Sequence, residues 1–221
     1  MERALVVGAS GGIGAAVVAE LANRGVAVTG LSRSGDGLEV TDEASVTAHL
    51  GAMDGPFDLI FVATGALVID GAEPEKAVKQ ITAEALANQY ILNAIGPMLV
   101  LNHALPLIPR DRRAVFAALS ARVGSIGDNG LGGWHSYRAA KAGLNQLIHG
   151  AAIELKRSHK QAIAVCLHPG TVATNFTAKY AAAHKTVPPA DAAANLVDVV
   201  AGLTSAQSGG FYDYAGREIP W

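Results

Sequence analysis

A glycine-rich turn near the N-terminus constrains the fold of this chain more than any other stretch. Residues 4–7 are apolar, residues 8–14 read Gly-Ala-Ser-Gly-Gly-Ile-Gly, and residues 15–23 form an alanine-rich helical pattern, an order that predicts a strand, a turn and a helix. Glycines allow a backbone to approach a pyrophosphate closely, and a helix N-terminus offers unpaired N–H groups and a positive dipole end. The pattern therefore favours dinucleotide binding over a purely structural turn. The residues expected to contact the cofactor are Gly8, Ser10, Gly12, Ile13 and Gly14.

Composition narrows the class of protein. The chain has 221 residues, of which 50% are apolar and 16% are charged, and its formal net charge is -2. These values predict one compact α/β domain over residues 1–221, without the basic surface that nucleic-acid binding requires. Only a short apolar run precedes Gly8, so no signal peptide or membrane span is predicted and a cytoplasmic location is expected. The single cysteine, Cys166, is expected to pack within a strand, and no metal site is predicted.

Apolar runs bounded by turn residues predict the strands that follow. They cover residues 26–31, 57–63, 114–119, 162–167 and 210–214. Long helical patterns lie between them, at residues 81–108, 134–158 and 190–203. This alternation is typical of a parallel sheet covered by helices, with ligands bound at the carboxyl ends of the strands.

The end of the second strand bears on the choice of cofactor. Residues 32–34 read Ser-Arg-Ser, and the nearest acid is Asp36. A carboxylate here would bind a ribose 2′-hydroxyl and repel a 2′-phosphate, whereas an arginine with nearby hydroxyls would bind the phosphate. Ser32 and Arg33 therefore favour NADP over NAD, the alternative being that Arg33 is an ordinary exposed charge.

Tyr137 and Lys141 lie four residues apart at the start of the helical pattern over residues 134–158. At this spacing two side chains lie one above the other on the same helix face. A lysine ammonium close to the ring would favour the phenolate electrostatically and so lower the pKa of the tyrosine. The pair could therefore act as a proton donor, although the spacing alone is common.

Four motifs occur along the chain in one order. They are the Gly-x-x-x-Gly-x-Gly turn, Asn93 within a helix, the Tyr-x-x-x-Lys pair, and Pro169-Gly170 after a strand. This arrangement resembles the short-chain dehydrogenase/reductase family across almost the entire chain. Three further segments look like the C-factor group of that family, a relative of the sniffer-type carbonyl reductases. These segments are residues 120–126, 131–134 and 217–221.

The resemblance implies a single doubly wound Rossmann domain, with a seven-stranded parallel sheet and helices on both faces. Residues 38–42 would form the short third strand, whose Val40 lies beside the adenine. Asn93 would order a water that links Lys141 to solvent in a proton relay. The strand end that follows residue 62 matches the family's Asn-Asn-Ala-Gly motif only in part. The other implied cofactor contacts are Ala63, Thr64, Gly65, Tyr137, Lys141, Pro169, Gly170, Val172 and Thr174.

Two serines compete as the hydroxyl that would polarise a substrate carbonyl. Ser120 ends a strand and lies 17 residues before Tyr137, whereas Ser125 lies 12 residues before it, at the family's usual spacing. Aligning Gly124 with the family's glycine places Ala121 where the serine normally stands. We predict Ser120 as the polarising group, because a strand end holds a side chain more rigidly than a glycine-rich loop does.

The function implied by the resemblance is hydride transfer between the nicotinamide of NADP and a small carbonyl or alcohol substrate. Tyr137 would exchange the proton, Lys141 would lower its pKa and hold the ribose, and Ser120 would polarise the carbonyl. A substrate lid is expected over residues 175–189, and pairing of the two long helices implies a homodimer or homotetramer. The alternative is a dinucleotide-binding signalling or sensor protein whose catalysis is vestigial. Turnover of a substrate would distinguish the enzyme from the sensor protein, whereas cofactor binding would not.

Overall fold

The computed structural model describes residues 1–174 and 186–221. Its strands are β1 (Arg3–Val7), β2 (Ala27–Leu31), β3 (Leu59–Val62), β4 (Ala114–Leu119), β5 (Ala162–His168) and β6 (Phe211–Asp213). These six strands of the described residues form one parallel sheet in the order β2-β1-β3-β4-β5-β6. The predicted parallel α/β architecture is confirmed, and the strand order changes direction between β1 and β3. Ligands of such sheets bind outside that switch point.

The predicted third strand, over residues 38–42, is absent, and the described sheet therefore has six strands rather than seven. Leu38 and Val40 are buried as expected of a strand. The Glu39 carboxylate, however, accepts hydrogen bonds from the Thr41 N–H at 3.0 Å and from the Thr41 hydroxyl at 2.8 Å. This local bonding offers the backbone an alternative to ladder bonds with β2. Strand β2 is consequently the edge of the described sheet.

The helices are α1 (Gly12–Asn23), α2 (Arg33–Asp36), α3 (Glu43–Gly51), α4 (Ala83–Tyr90), α5 (Gly96–Ala104), α6 (His135–Ser158) and α7 (Pro189–Gly202). The pattern predicted as one helix over residues 81–108 is interrupted, because a π-helical turn over Ile91–Ile95 joins α4 to α5. Such turns are frequent at functional sites. This one contains the fully buried Asn93.

The sheet separates two apolar layers. Successive residues of a strand point to opposite faces. Ala4 and Val6 of β1 accordingly pack in the layer formed by α1 and α7, whereas Leu5 and Val7 pack in the layer formed by α3, α5 and α6. Burial on both faces accounts for strands that are apolar throughout rather than alternating.

The stretch Ala83–Leu107 is long and apolar enough to cross a membrane by length and composition alone. In the folded chain, 44% of the 18-residue apolar segment that meets this criterion is buried. Val100 and Leu101 pack in the same apolar layer as α6. These contacts are those of a core helix that covers a sheet.

Candidate active site

A cleft runs along the carboxyl ends of the strands. One part has a volume of about 550 Å³ and is lined by Tyr137 and Lys141. A second part, of about 290 Å³, continues past the end of β2 and is lined by Arg33. The two parts share the lining residues Ser10, Gly11, Ala63, Thr64 and Gly65. The cleft is therefore continuous and has the elongated shape that a dinucleotide requires.

The N-terminal turn forms the floor of the cleft. Gly8 has a φ of +90°, and a Cβ at this position would lie 2.9 Å from the Ala63 carbonyl carbon. A Cβ at Gly14 would overlap the Gly8 carbonyl oxygen. These two glycines are therefore required by the packing of the turn itself, a constraint that the sequence argument attributed to the approaching ligand. The residues of the turn that line the larger part of the cleft are Ser10, Gly11, Gly12 and Ile13.

Helix α1 begins at this floor. Its N-cap is Gly11, which has no side chain to accept the first N–H groups of the helix. Those N–H groups and the positive dipole end therefore remain for an anion. Because Gly11, Gly12 and Ile13 line the cleft, a pyrophosphate lying there would meet the start of the helix.

The end of β2 places Ser32 and Arg33 in the smaller part of the cleft. The Ser32 hydroxyl caps α2 by accepting the Gly35 N–H at 3.0 Å, and the Asp36 carboxylate accepts the Ser32 N–H at 2.9 Å. Arg33 is 81% exposed, and its guanidinium lies 3.6 Å from the Glu39 carboxylate. Ser32 is thus occupied by the helix cap, whereas Arg33 has the reach and the charge to meet a phosphate.

The segment that follows β3 lies where the two parts of the cleft meet. Gly65 has a φ of +145°, and a Cβ there would lie 2.7 Å from Asn93 Oδ1 and 3.4 Å from Lys141 Nζ. The amide of the π-helical turn and the lysine of α6 therefore converge on this glycine. The other predicted contacts around this segment that line the cleft are Val40, Ala63 and Thr64.

The Asn93 side chain is fully hydrogen-bonded. Its Nδ2 donates to the Ala66 carbonyl at 2.9 Å and to Gln89 Oε1 at 2.7 Å, while its Oδ1 accepts the Ala66 N–H at 3.2 Å. The side chain thus fastens the loop after β3 to the π-helical turn. A role for Asn93 in a proton relay stays a prediction about its backbone and a bound water.

We expect Gly65→Ala to destabilise the chain by about 2 to 4 kcal/mol, because the new methyl group combines positive-φ strain with displacement of Asn93. Gly25→Ala is the matched control, since Gly25 has a φ of +79° and open space around the position of a Cβ. Its cost should be the strain alone, about 1 to 2 kcal/mol. Urea unfolding measures both. Equal costs would show that Asn93 does not constrain residue 65.

Helix α6 holds Tyr137 and Lys141 against the sheet. Tyr137 is 5% exposed and Lys141 is 3% exposed, and both line the larger part of the cleft. Lys141 Nζ lies 5.8 Å from the centroid of the Tyr137 ring and donates to the Leu119 carbonyl oxygen at 2.9 Å. The structure therefore brings the two residues together at the end of β4.

The predicted lowering of the Tyr137 pKa is not what the buried site produces. Burial raises the pKa of the Tyr137 phenol above its ordinary value, because a phenolate would lose its hydration. Burial also lowers the pKa of Lys141 to about 8 and raises that of the Cys166 thiol to about 12. The predicted shift depended on the charge of the lysine, whereas loss of hydration determines the pKa of the buried phenol. At neutral pH the tyrosine keeps its proton and the lysine is mostly charged.

The two candidate serines lie in different places. Ser125 is buried in the loop after β4, where its hydroxyl accepts the Asp128 N–H at 3.1 Å. Ser120 lines the cleft, and its hydroxyl donates to Asn145 Oδ1 at 2.7 Å. Ala121 also lines the cleft. The hydroxyl of the serine that reaches the cleft is therefore engaged by the amide of Asn145.

The segment after β5 lies over the N-terminal turn. A Cβ at Gly12 would lie 2.6 Å from Thr174 Cγ2, so these residues are direct neighbours. The Ala173 N–H donates to the Val187 carbonyl at 2.9 Å, which fixes the path of the segment. The predicted contacts that line the cleft here are Pro169, Gly170, Val172 and Thr174. Most of the predicted lid, residues 175–185, lies outside the described residues.

Sequence reasoning missed two residues of the site. His168 ends β5 and lines the cleft, and the signal that could have identified it is a polar residue between a strand and a Pro-Gly turn. Glu75 is buried, and its carboxylate accepts hydrogen bonds from the Ser136 hydroxyl and, at 3.2 Å, from the Ser136 N–H at the start of α6. No local pattern pairs Glu75 with a helix 61 residues away.

Buried polar atoms without partners collect around the cleft. Among the described residues they include Thr64 Oγ1 and His168 Nδ1, both in lining residues, and Asn145 Nδ2, beside Ser120. Each such atom costs roughly 1 to 3 kcal/mol unless a ligand or a water completes it. The continuous cleft and the uncapped start of α1 fit a bound nicotinamide dinucleotide.

Curated relatives match much or all of the chain. A 1-hydroxy-2-glutathionyl-2-methyl-3-butene dehydrogenase from Rhodococcus sp. (strain AD45) is 30% identical over 237 residues, covering 100% of both chains. The C-signal protein of Myxococcus xanthus is 33% identical over 136 residues, which cover 62% of this chain and 78% of that protein.

Solved structures match the fold as a whole. The carbonyl reductase Sniffer of D. melanogaster has a TM-score of 0.83 with 18% identity over 100% of both chains, a likeness of fold alone. A short-chain dehydrogenase/reductase from Burkholderia multivorans with bound NADP has a TM-score of 0.79 with 25% identity, covering 100% of this chain and 99% of that one. The family model described as enoyl-(acyl carrier protein) reductase matches residues 37–201. The family model and the Rhodococcus relative match most or all of the chain, including a tyrosine and a lysine that are buried in a cleft shaped for a dinucleotide. This protein therefore belongs to the short-chain dehydrogenase/reductase family of nicotinamide-dependent oxidoreductases.

Proposed function

We propose that this protein reduces small carbonyl compounds with NADPH. The observation that carries the proposal is the burial of Tyr137 and Lys141 on one face of α6, inside a cleft long enough for a dinucleotide. A protonated tyrosine held beside a charged lysine is a proton donor of the kind that carbonyl reduction needs. The NADP bound by the Burkholderia multivorans relative supports the choice of cofactor.

The chemistry divides between the cofactor and the chain. Bound NADPH would supply the hydride that adds to the carbonyl carbon, and NADP⁺ would remain. Tyr137 donates its hydroxyl proton to the carbonyl oxygen as negative charge develops there, so that the product is the alcohol. Lys141 stabilises the phenolate electrostatically until a proton from solvent restores Tyr137. We propose that a water ordered near Asn93 passes on that proton.

The state of Tyr137 favours reduction over oxidation. Burial raises the pKa of its phenol, so the group is protonated at neutral pH and ready to donate. Alcohol oxidation would require the phenolate as a base, which is the minor form at neutral pH. We therefore expect the reverse reaction to accelerate as the pH rises.

We propose Arg33 as the group that selects NADPH over NADH. A 2′-phosphate would take the place of Glu39 as the partner of the exposed guanidinium. Arg33→Ala is expected to weaken NADPH binding about tenfold to a hundredfold, the value of a hydrogen bond to a charged group, and to leave NADH binding unchanged. Arg33→Lys keeps the charge and should lose less affinity. Fluorescence titration with both cofactors measures the difference, and a parallel loss for NADH would contradict the assignment.

The proposed function is tested on the wild-type protein. Titration with NADPH and NADH is followed by a panel of aldehydes and ketones, monitored through the loss of reduced-cofactor absorbance. NADPH binding with turnover of a carbonyl would support the reductase. Binding of both cofactors without turnover of any carbonyl would contradict it, and binding of neither would contradict the assignment of the cleft.

A dinucleotide-binding signalling protein is the second candidate. Two observations favour it: the similarity to C-signal, and the alanine at residue 121, which occupies the position of the family's serine when Gly124 is aligned with the family's glycine. Such a protein would bind NADPH in the same cleft and respond to its occupancy. It would do so equally well with Phe at residue 137, so the Tyr137→Phe variant separates the two candidates.

A further inference from the structure

The alanine at residue 121 leaves the substrate oxygen short of a hydrogen-bond donor. The methyl group of Ala121 cannot donate, although this residue lines the cleft. The hydroxyl of its neighbour Ser120 lies 2.7 Å from the side-chain amide of Asn145, and this contact holds the hydroxyl away from the cleft. Stabilising an oxygen that becomes negative requires donors aimed at it from a site without water. Tyr137 supplies one such donor, and the second has to come from another residue.

His168 lies directly beside this position. The register of β4 and β5 pairs Leu119 with Leu167, and the Ser120 N–H donates to the Leu167 carbonyl oxygen at 2.8 Å. The next pair across the two strands is therefore Ser120 and His168.

The alternation of side chains directs His168 to the side of the sheet that carries the catalytic helix. Within β5, Cys166 packs in the apolar layer of α6, and Leu167 packs in the opposite layer. His168 is two residues after Cys166 and so faces the α6 side. It accordingly lines the same part of the cleft as Tyr137 and Lys141.

The surroundings of the imidazole determine which nitrogen carries the proton. His168 Nδ1 is buried and has no partner among the described residues. A buried N–H without an acceptor is rarer in proteins than a buried lone pair without a donor, so the proton belongs on Nε2. Burial and the positive charge of Arg122 lower the pKa of His168 to about 4, against a smaller opposing effect of Asp213. At neutral pH the ring is therefore uncharged and carries one N–H.

We propose that the Nε2–H group of His168 donates the second hydrogen bond to the substrate carbonyl oxygen, in the place of the family's serine. The inference rests on the proposed carbonyl reduction and moves the polarising role away from Ser120. Tyr137 gives its proton to the oxygen, while His168 keeps its own and stabilises the developing negative charge from the end of β5.

Turnover of 4-nitrobenzaldehyde with NADPH tests the role of His168. His168→Leu is expected to lower kcat about 100-fold with little change in KM, because the lost bond is strongest in the transition state. His168→Gln restores an amide N–H near the position of Nε2, and its kcat should be about tenfold higher than that of His168→Leu. The fall in kcat should be smaller for Ser120→Ala than for His168→Leu. Fluorescence titration with NADPH verifies that each variant keeps a folded cofactor site.

Three kinetic results would overturn the proposal. They are a wild-type kcat in His168→Leu, equal losses in the Leu and Gln variants, and a larger loss in Ser120→Ala than in His168→Leu. The second result would show that the volume of the side chain matters and its N–H does not.

A measurement on the wild-type protein is independent of turnover and of mutant folding. Isobutyramide presents a carbonyl oxygen but resists hydride addition. In nitrogen-15 spectra of the NADPH complex, the His168 ring is expected in its Nε2–H form, and this resonance should shift when isobutyramide is added. An Nδ1–H form, or a shift of the Tyr137 backbone amide without one of the His168 ring, would overturn the proposal. A protein that shows the His168 shift but turns over no carbonyl would instead contradict the reductase and leave the contact standing.

Discussion

Replacing Tyr137 with Phe is expected to lower kcat for carbonyl reduction by about 10² to 10⁴-fold, the usual contribution of a positioned general acid. The substitution removes the hydroxyl and keeps the buried ring at the start of α6, so the helix and its neighbour Lys141 should stay in place. The substrate oxygen would then have to take its proton from water instead of from a positioned acid. The loss should appear in kcat, because proton donation matters only as negative charge develops.

The affinity for NADPH is the internal control for this variant. It should change by less than about threefold, since a cofactor in the long cleft makes most of its contacts with other lining residues. Tyr90→Phe is the matched variant, because Tyr90 is 39% exposed on α4 and removal of its hydroxyl should leave kcat intact. Wild-type turnover by Tyr137→Phe would exclude Tyr137 as the acid. A loss of NADPH binding equal to the loss of kcat would show that the hydroxyl serves the cofactor site instead.

The structural features of this protein that could be predicted from its sequence are determined by residues that lie close together in the chain. The strand, turn and helix around Gly8 follow from a local pattern, and the structure has them at β1 and α1. Tyr137 and Lys141 share a helix face because they are four residues apart, whatever the rest of the fold does. Parallel topology then brings the strand ends to one edge of the sheet, where the cleft lies.

The parts that could not be predicted depend on contacts between distant segments. The Ser120 hydroxyl is bonded to the amide of Asn145, 25 residues away, and no sequence pattern predicts this contact. The absence of the predicted third strand, by contrast, has a local cause, because the carboxylate of Glu39 bonds to Thr41, two residues further along the chain. The pKa of Tyr137 depends on burial by the whole fold, which the charge of one nearby lysine does not describe.

The proposed role of His168 also depends on contacts between distant segments. Its place before Pro169 is visible in the sequence, but its value as a donor depends on the register of β4 and β5, on the alternation of β5, and on the enclosure of Nδ1. Each of these is a property of the assembled sheet. His168 is identifiable from the sequence as a polar residue at a strand end, but its tautomer is not.

Burial of the Lys141 ammonium destabilises the folded chain. The residue is 3% exposed, and its ammonium donates to the Leu119 carbonyl oxygen and has no carboxylate within ion-pair distance among the described residues. Cys166 offers no anion, since burial raises the pKa of its thiol to about 12. The fall of the lysine pKa from 10.5 to about 8 corresponds to about 3 kcal/mol of folded-state stability lost while the group is charged.

Lys141→Met is therefore expected to yield a more stable and inactive protein. At neutral pH the free energy of unfolding should rise by about 2 kcal/mol, since relief of the buried charge exceeds the loss of one hydrogen bond to Leu119. The value of kcat should fall by at least about 100-fold, because the phenolate on Tyr137 would lose its stabilising charge. Urea unfolding and turnover of the same sample measure the two effects, a trade of stability for activity that is common at catalytic sites.

The dependence of this gain on pH identifies its cause. The pKa of Lys141 is lower in the folded chain than in the unfolded chain, so between about pH 8 and pH 10.5 the unfolded chain binds more protons. Wild-type stability should consequently rise with pH across this window relative to Lys141→Met, and the advantage of the variant should shrink. Lys156→Met is the matched control, because Lys156 is exposed in the last turn of α6 and its removal relieves no burial of charge. A Lys141→Met protein that is less stable than wild type at neutral pH would mean that the buried ammonium stabilises the fold through bonds stronger than its desolvation.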